Sequence, residues 1–91
     1  MIRKKVIVKN PEGIHARPAS ALVKLASSFN SDFYIYSHGY KINGKSILGV
    51  LTLAAECGAE LELECSGEDE KIALQRIVEL FERNFTDTTD K

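Results

Sequence analysis

A histidine and an arginine two residues apart, framed by glycine and proline, are the residues of this sequence best placed for chemistry: Gly13-Ile14-His15-Ala16-Arg17-Pro18-Ala19. Pro18 suits the first turn of a helix, where its missing N–H is no loss. Gly13 permits a sharp entry into that helix. The segment therefore places His15 at or next to a helix N-cap, where the first-turn N–H groups are free and the helix dipole is positive. An imidazolium is disfavoured there, and the neutral imidazole that remains is a nucleophile. A phosphoryl group carried on that ring would meet the helix N–H groups, and Arg17 can add its guanidinium to the phosphoryl oxygens. A nucleophile, an anion cradle and a charge partner thus fall within the five residues from Gly13 to Arg17. A histidine at a helix start can also serve only to satisfy backbone donors, so the spacing permits phosphoryl transfer without establishing it.

A second segment bears on partners. Ser46 stands before Ile47-Leu48-Gly49-Val50-Leu51-Thr52-Leu53, a nearly continuous apolar run. Such a run is a buried strand or a short helix. Ser46 as an N-cap, Gly49 inside the run and Ala54-Ala55 behind it favour the helix. A serine cap is worth about 1 kcal/mol. Apolar residues on a short helix are usually core, but this one is apolar all round. Part of it, at Ile47, Leu48 and Leu51, is expected to stay exposed and to form a candidate interface beside the nucleophile. The remaining candidates are bland. His38 falls in a turn beside Gly39, Cys65 reads as a small buried hydrophobe, and Cys57 before Gly58 reads as a turn residue without a role. Glu60, Glu62 and Glu64 read as a solvated strand face. No metal-ligand spacing, glycine-rich phosphate loop or cofactor motif is present, so no metal and no cofactor are expected.

Four strands and three helices must position these residues. Lys5 to Lys9 reads as the first strand, closed by Asn10-Pro11-Glu12-Gly13. Ala19, Leu22, Val23, Ala26 and Phe29 recur at helical spacing, with Ser20 and Lys24 off that face. Phe33-Tyr34-Ile35-Tyr36 and Tyr40-Lys41-Ile42 form a hairpin around Ser37-His38-Gly39, with Asn43-Gly44 closing the segment. Glu60-Leu61-Glu62-Leu63-Glu64-Cys65 alternates strictly, with one face to the core. The last helix follows Ser66-Gly67-Glu68-Asp69. Asp69 or Ser66 is its expected cap, and Ile72, Ala73, Ile77, Leu80, Phe81 and Phe85 are its expected apolar face. Thr86 to Lys91 reads as a polar tail. This element order is α+β, an antiparallel sheet with helices on one face and water on the other.

The whole chain sets outer bounds. Its 91 residues suit one domain, 1–91, and 44% hydrophobic with 27% charged residues is an ordinary globular composition. A net charge of −1 gives no basic excess for nucleic acid or a membrane surface, so a partner must be met by a local patch. Behind the basic start, the apolar run Val6-Ile7-Val8 is too short for a signal peptide or a spanning helix, and the expected location is cytoplasmic.

The segment around His15 resembles the active-site signature of HPr, the histidine phosphocarrier family of the phosphoenolpyruvate-dependent phosphotransferase system. Lys45-Ser46-Ile47-Leu48-Gly49 resembles that family's regulatory serine segment, and Ser66-Gly67-Glu68-Asp69-Glu70 is a third match. The resemblance runs in order through nearly the whole chain. It implies an open-faced β-sandwich, a four-stranded antiparallel sheet with three helices on one face (βαββαβα). It implies phosphorylation of His15 on Nδ1 by enzyme I, stabilisation by Arg17, and delivery to a sugar-specific enzyme IIA. Ser46 would be a target of the family's bifunctional HPr kinase/phosphorylase. Ser20, Lys24, Ile47, Leu48 and Leu51 would form the partner surface, on a monomeric chain that carries a phosphoryl group and is not an independent catalyst. Phosphate on Ser46 would add roughly −1.5 to −2 charges at the edge of that surface and repel an acidic enzyme I. Relatives with further basic residues on these two helices differ from this sequence, which has Ser27 and Gly49 there. Two other readings stay open. One is the carrier of the nitrogen-related phosphotransferase branch, which shares these motifs. The other is a regulatory interaction module acting through phospho-Ser46. Modules of that kind lack the active histidine, whereas His15 and Arg17 are both present here.

Overall fold

A computed structural model describes residues 1–9, 11, 13–14, 16–53 and 56–85. In chain order the elements are β1 (Ile2–Ile7), α1 (Ala16–Ser27), β2 (Asp32–Ser37), β3 (Tyr40–Asn43), α2 (Ile47–Leu51), β4 (Glu60–Ser66) and α3 (Glu70–Glu82). The four strands form one antiparallel sheet in the order β1-β4-β2-β3, so β4 is central although it enters last. The period-two pattern of β4 explains that place. Leu61, Leu63 and Cys65 are all buried on one face, beside Val6 of β1 and Phe33 and Ile35 of β2. The three helices cover this face. Ala19, Leu22 and Ala26 of α1, Val50 of α2, and Ala73, Leu74, Ile77, Leu80 and Phe81 of α3 join the same core. Each large side chain fully buried there contributes roughly 1.5–3 kcal/mol relative to exposure.

The hairpin forms as its residues demand. Ser37 pairs with Tyr40, which leaves His38 and Gly39 as a two-residue loop. Their φ angles are 52° and 83°, the double positive φ that a type I′ turn requires and that matches strand twist. His38 is exposed in that turn, hydrogen-bonded at Nδ1 with the Ser37 hydroxyl, and takes the surface role expected of it.

Several expectations are corrected. The first strand runs over Ile2–Ile7, because the β4 ladder from Glu60 to Cys65 pairs with that span. Val8 lies just past it, still bonded to Ala59 and Gly58. α1 ends at Ser27, and Phe29 packs on the core from beyond its end. On α3, Ile72 is exposed and Leu74 takes the buried place. Asp69 stands at the N-cap of α3 but makes no capping bond. Its carboxylate instead accepts the backbone N–H groups of Asn30 and Ser31 and the Ser31 hydroxyl, tying the α1–β2 loop to the start of α3. Glu64 is not solvated: it is 3% exposed, covered by Arg3 of β1 at 3.8 Å and by Tyr36 of β2, whose hydroxyl donates to it. The helix over Ile47–Leu51 stops at a Thr52 cap, and Ala54-Ala55 lie outside the described residues, as does the tail from Thr86.

Candidate functional site

α1 starts at Ala16, in agreement with the placement of Pro18 in a first turn. His15, the expected nucleophile, lies outside the described residues, as do Asn10 and Glu12. Gly13 has φ 74°, a left-handed conformation open to glycine at no steric cost. Ile14 is 5% exposed and belongs to the core cluster. Ala16 and Arg17 are exposed, and Pro18 and Ala19 are buried again. Ile14 thus lies in the core, Ala16 and Arg17 at the surface, and Pro18 and Ala19 in the core again. Arg17 forms no ion pair among the described residues, so its guanidinium is available to an anion.

α2 packs against α1 and against β3. Ser46 starts it as expected, in extended conformation, with its hydroxyl accepting the Gly49 N–H at 3.1 Å. The far end is closed by Thr52, whose N–H and hydroxyl reach the carbonyl of Gly49. Val50 alone of this helix is fully buried. Leu48 is 74% exposed, Leu51 41% and Ile47 38%, which leaves a contiguous apolar surface. On α1, Ser20 and Lys24 are exposed as expected. Neither helix carries an acidic residue. In a chain of net charge −1, this face is locally cationic and apolar. Such a face suits a partner that presents carboxylates around an apolar centre.

Sequence reasoning missed two residues that hold the face together. Lys45 is half-buried and donates its Nζ to the Phe29 carbonyl at 2.8 Å, joining the end of α1 to the start of α2. A lysine near the C-terminal end of a helix is a known stabiliser of its last carbonyls, but a separation of sixteen positions gives no sequence signal. Gly44 donates its N–H to the Phe33 carbonyl at 2.8 Å, and its backbone lies against the Phe33 ring. The described residues hold no cluster of ligating side chains fit for a metal ion. No helix is long and apolar enough to cross a membrane, among the described residues.

The fold is an open-faced α+β sandwich with one cationic, apolar helical face. Comparison with known proteins agrees. The family model described as "PTS HPr component phosphorylation site" matches residues 2–83. The phosphocarrier protein HPr of Treponema pallidum is 46% identical over 85 residues, which cover 93% of this chain and 97% of that protein. The HPr-like protein Crh of Bacillus subtilis is 42% identical over 77 residues, covering 85% of this chain and 91% of the other. The crystal structure of HPr-C-His from Thermoanaerobacter tengcongensis superimposes with a TM-score of 0.91 at 36% identity, covering 96% of this chain and 98% of that one. The chain belongs to the HPr family of phosphocarrier proteins of the phosphotransferase system.

Proposed function

We propose that this chain accepts a phosphoryl group from phospho-enzyme I on Nδ1 of His15 and passes it to an enzyme IIA. The bond from phosphorus to the donor breaks as the Nδ1–P bond forms, and the reverse exchange delivers the group onward. The observation that carries this reading is the match of the family's phosphorylation-site model across residues 2–83, a span that includes His15 and Arg17. Arg17, exposed on the first turn of α1, meets the phosphoryl oxygens, and the N–H groups of that turn add partial positive charge. Ser20, Lys24, Ile47, Leu48 and Leu51 dock the partners. Ser46 is the regulatory phosphorylation site, acted on by an HPr kinase/phosphorylase. The carrier works in the cytoplasm as a single domain over 1–91.

The test is incubation with phosphoenolpyruvate and a cognate enzyme I. An acid-labile, base-stable phosphoprotein is expected. His15→Ala abolishes the label and His38→Ala leaves it intact. Label retained by His15→Ala would place the acceptor elsewhere. A second reading, a regulatory module acting through phospho-Ser46, is favoured by the likeness to the HPr-like protein Crh. A chain that takes label from a kinase and ATP on Ser46, and none from enzyme I, would decide for it. The nitrogen-related branch separates from the sugar branch by which enzyme I and enzyme IIA exchange phosphate with the chain fastest.

A further inference from the structure

We infer that Ile14 is a positioning residue for phosphoryl transfer, a role that rests on His15 being the acceptor. Ile14 immediately precedes His15 in the chain, and its side chain is driven into the core, 5% exposed in the same cluster as Ala19 and Leu22 of α1. It stands two residues before the first helical residue, and Ala19 stands three residues after it. These are the two positions that a hydrophobic staple joins across a helix start, and both are fully inside the core. Such a staple fixes the angle at which the chain enters the helix. Gly13, with φ 74° and no Cβ, allows the sharp turn that brings Ile14 inward. On the other side Pro18 is buried, with its φ set by its ring. The acceptor's place in sequence is therefore flanked by one anchor on each side, with only Ala16 and Arg17 exposed between that place and the second anchor.

Phosphoryl transfer depends on the alignment of nucleophile, phosphorus and leaving atom. Arg17 stands on the first turn of the helix whose entry Ile14 fixes, so Ile14 also bears on where the guanidinium meets a phosphoryl group. Ile14 touches neither the partner nor the phosphoryl group, since it is buried. Its loss should lower the rate of the chemical step and leave docking intact, because docking uses the exposed residues of α1 and α2.

The experiment is single-turnover transfer from phospho-enzyme I to the full chain, measured over a range of chain concentrations. The variants are Ile14→Ala, Ile14→Val and Leu74→Ala. Leu74 is a comparably buried residue of α3 that lines the groove by β1 with Ile2 and Val78, away from the proposed docking face. All are assayed at a temperature where circular dichroism shows them folded. Ile14→Ala should cut the maximal rate roughly tenfold or more, with half-saturation within about twofold of wild type. Ile14→Val, which keeps most of the buried volume, should recover the rate to within about threefold of wild type. Leu74→Ala should transfer at the wild-type rate. If Ile14→Ala does not fold, a measurable slowing in Ile14→Val beside an unaffected Leu74→Ala supports the role. A wild-type rate in every folded Ile14 variant overturns it. Equal slowing in the Ile14 and Leu74 variants also overturns it, since general loosening then explains the loss. Wild-type chain that takes no label, or His15→Ala that keeps it, overturns the carrier reading itself.

Discussion

Ser46 caps α2 with its hydroxyl, and the proposed phosphorylation would put charge at that same cap. Its Oγ accepts the Gly49 N–H at the start of a five-residue helix, and its neighbour Lys45 is held away by the Phe29 carbonyl. Ser46→Asp keeps an acceptor at the cap, and negative charge at a helix start is favourable. Its stability should stay within about 1 kcal/mol of wild type by urea denaturation. The new charge, however, sits at the edge of the surface formed by Ile47, Leu48 and Leu51, facing whatever carboxylates a partner brings to Arg17 and Lys24. Affinity for enzyme I should fall at low salt. That deficit should shrink at 1 M salt, where the Debye length is about 3 Å. Equal phosphorylation rates for wild type and Ser46→Asp at low salt would leave Ser46 as a cap alone. Arg17→Ala belongs to the same scale. It should slow phosphoryl transfer with an unchanged unfolding midpoint, since Arg17 is exposed and bears no ion pair among the described residues.

At the level of elements, α2 is set by what lies under its approach. A Cβ added to Gly44 would overlap the ring of Phe33, which is fully buried between sheet and helices. Gly44→Ala should lower stability by about 1–3 kcal/mol in urea denaturation, the usual cost of overpacking a filled core. A loss below about 0.5 kcal/mol would mean the ring can move aside. Nothing local in the sequence announces this contact, which depends on Gly44 folding back on a residue eleven positions earlier. The same division runs through the fold. Elements written in local pattern were legible: the alternation at Leu61, Leu63 and Cys65, the apolar face of α1, the Ser37-His38-Gly39 turn and the Ser46 cap. What failed to show depended on register or distant pairing. Glu64 alternates as a wet residue, yet it is buried because β1 and β2 bring Arg3 and Tyr36 over it. Asp69 looks like a cap, yet Asn30 and Ser31 claim its carboxylate from across the molecule. The exposure of Leu48 followed from a helix apolar on every side, because a single helix cannot bury its whole circumference. The anchoring of Ile14 could not be read locally, since one apolar residue before a helix has no period to reveal it.

For the whole molecule, these long-range ties set a window of pH in which the fold is most stable. The acid side belongs to α3. Hydrogen bonds from the Ser31 hydroxyl and then the Asn30 N–H hold the Asp69 carboxyl below its ordinary 3.8. The chain's amino terminus and then the Gly67 N–H hold Glu70 below 4.5. A depressed folded-state pKa contributes stability that is complete above the unfolded value and is lost as pH falls through the folded one. Stability should therefore decline below the ordinary carboxylate range, and Asp69→Asn should flatten part of that decline. The alkaline side belongs to the sheet. Burial, then the carboxylates of Asp69 and Glu70, push the Cys65 thiol from 9.0 up to about 11. Tyr36, donating to Glu64, is also raised above its ordinary 10.0. A raised folded-state pKa has the opposite sign, with stability complete below the unfolded value and lost as pH rises through the folded one. Just above pH 9 an unfolded chain has given up a thiol proton that the folded chain keeps. Folding then weakens by up to about 1.4 kcal/mol per pH unit. Between pH 9 and 10 the thiol contributes more than the tyrosine, whose ordinary value lies higher, so Cys65 dominates this interval. Urea denaturation across it should give a falling stability for wild type. Cys65→Ala should start lower, because it leaves a cavity in the core near the end of β4, and should fall less steeply. An equal slope in both proteins would show that the alkaline limit is set elsewhere than at the buried thiol.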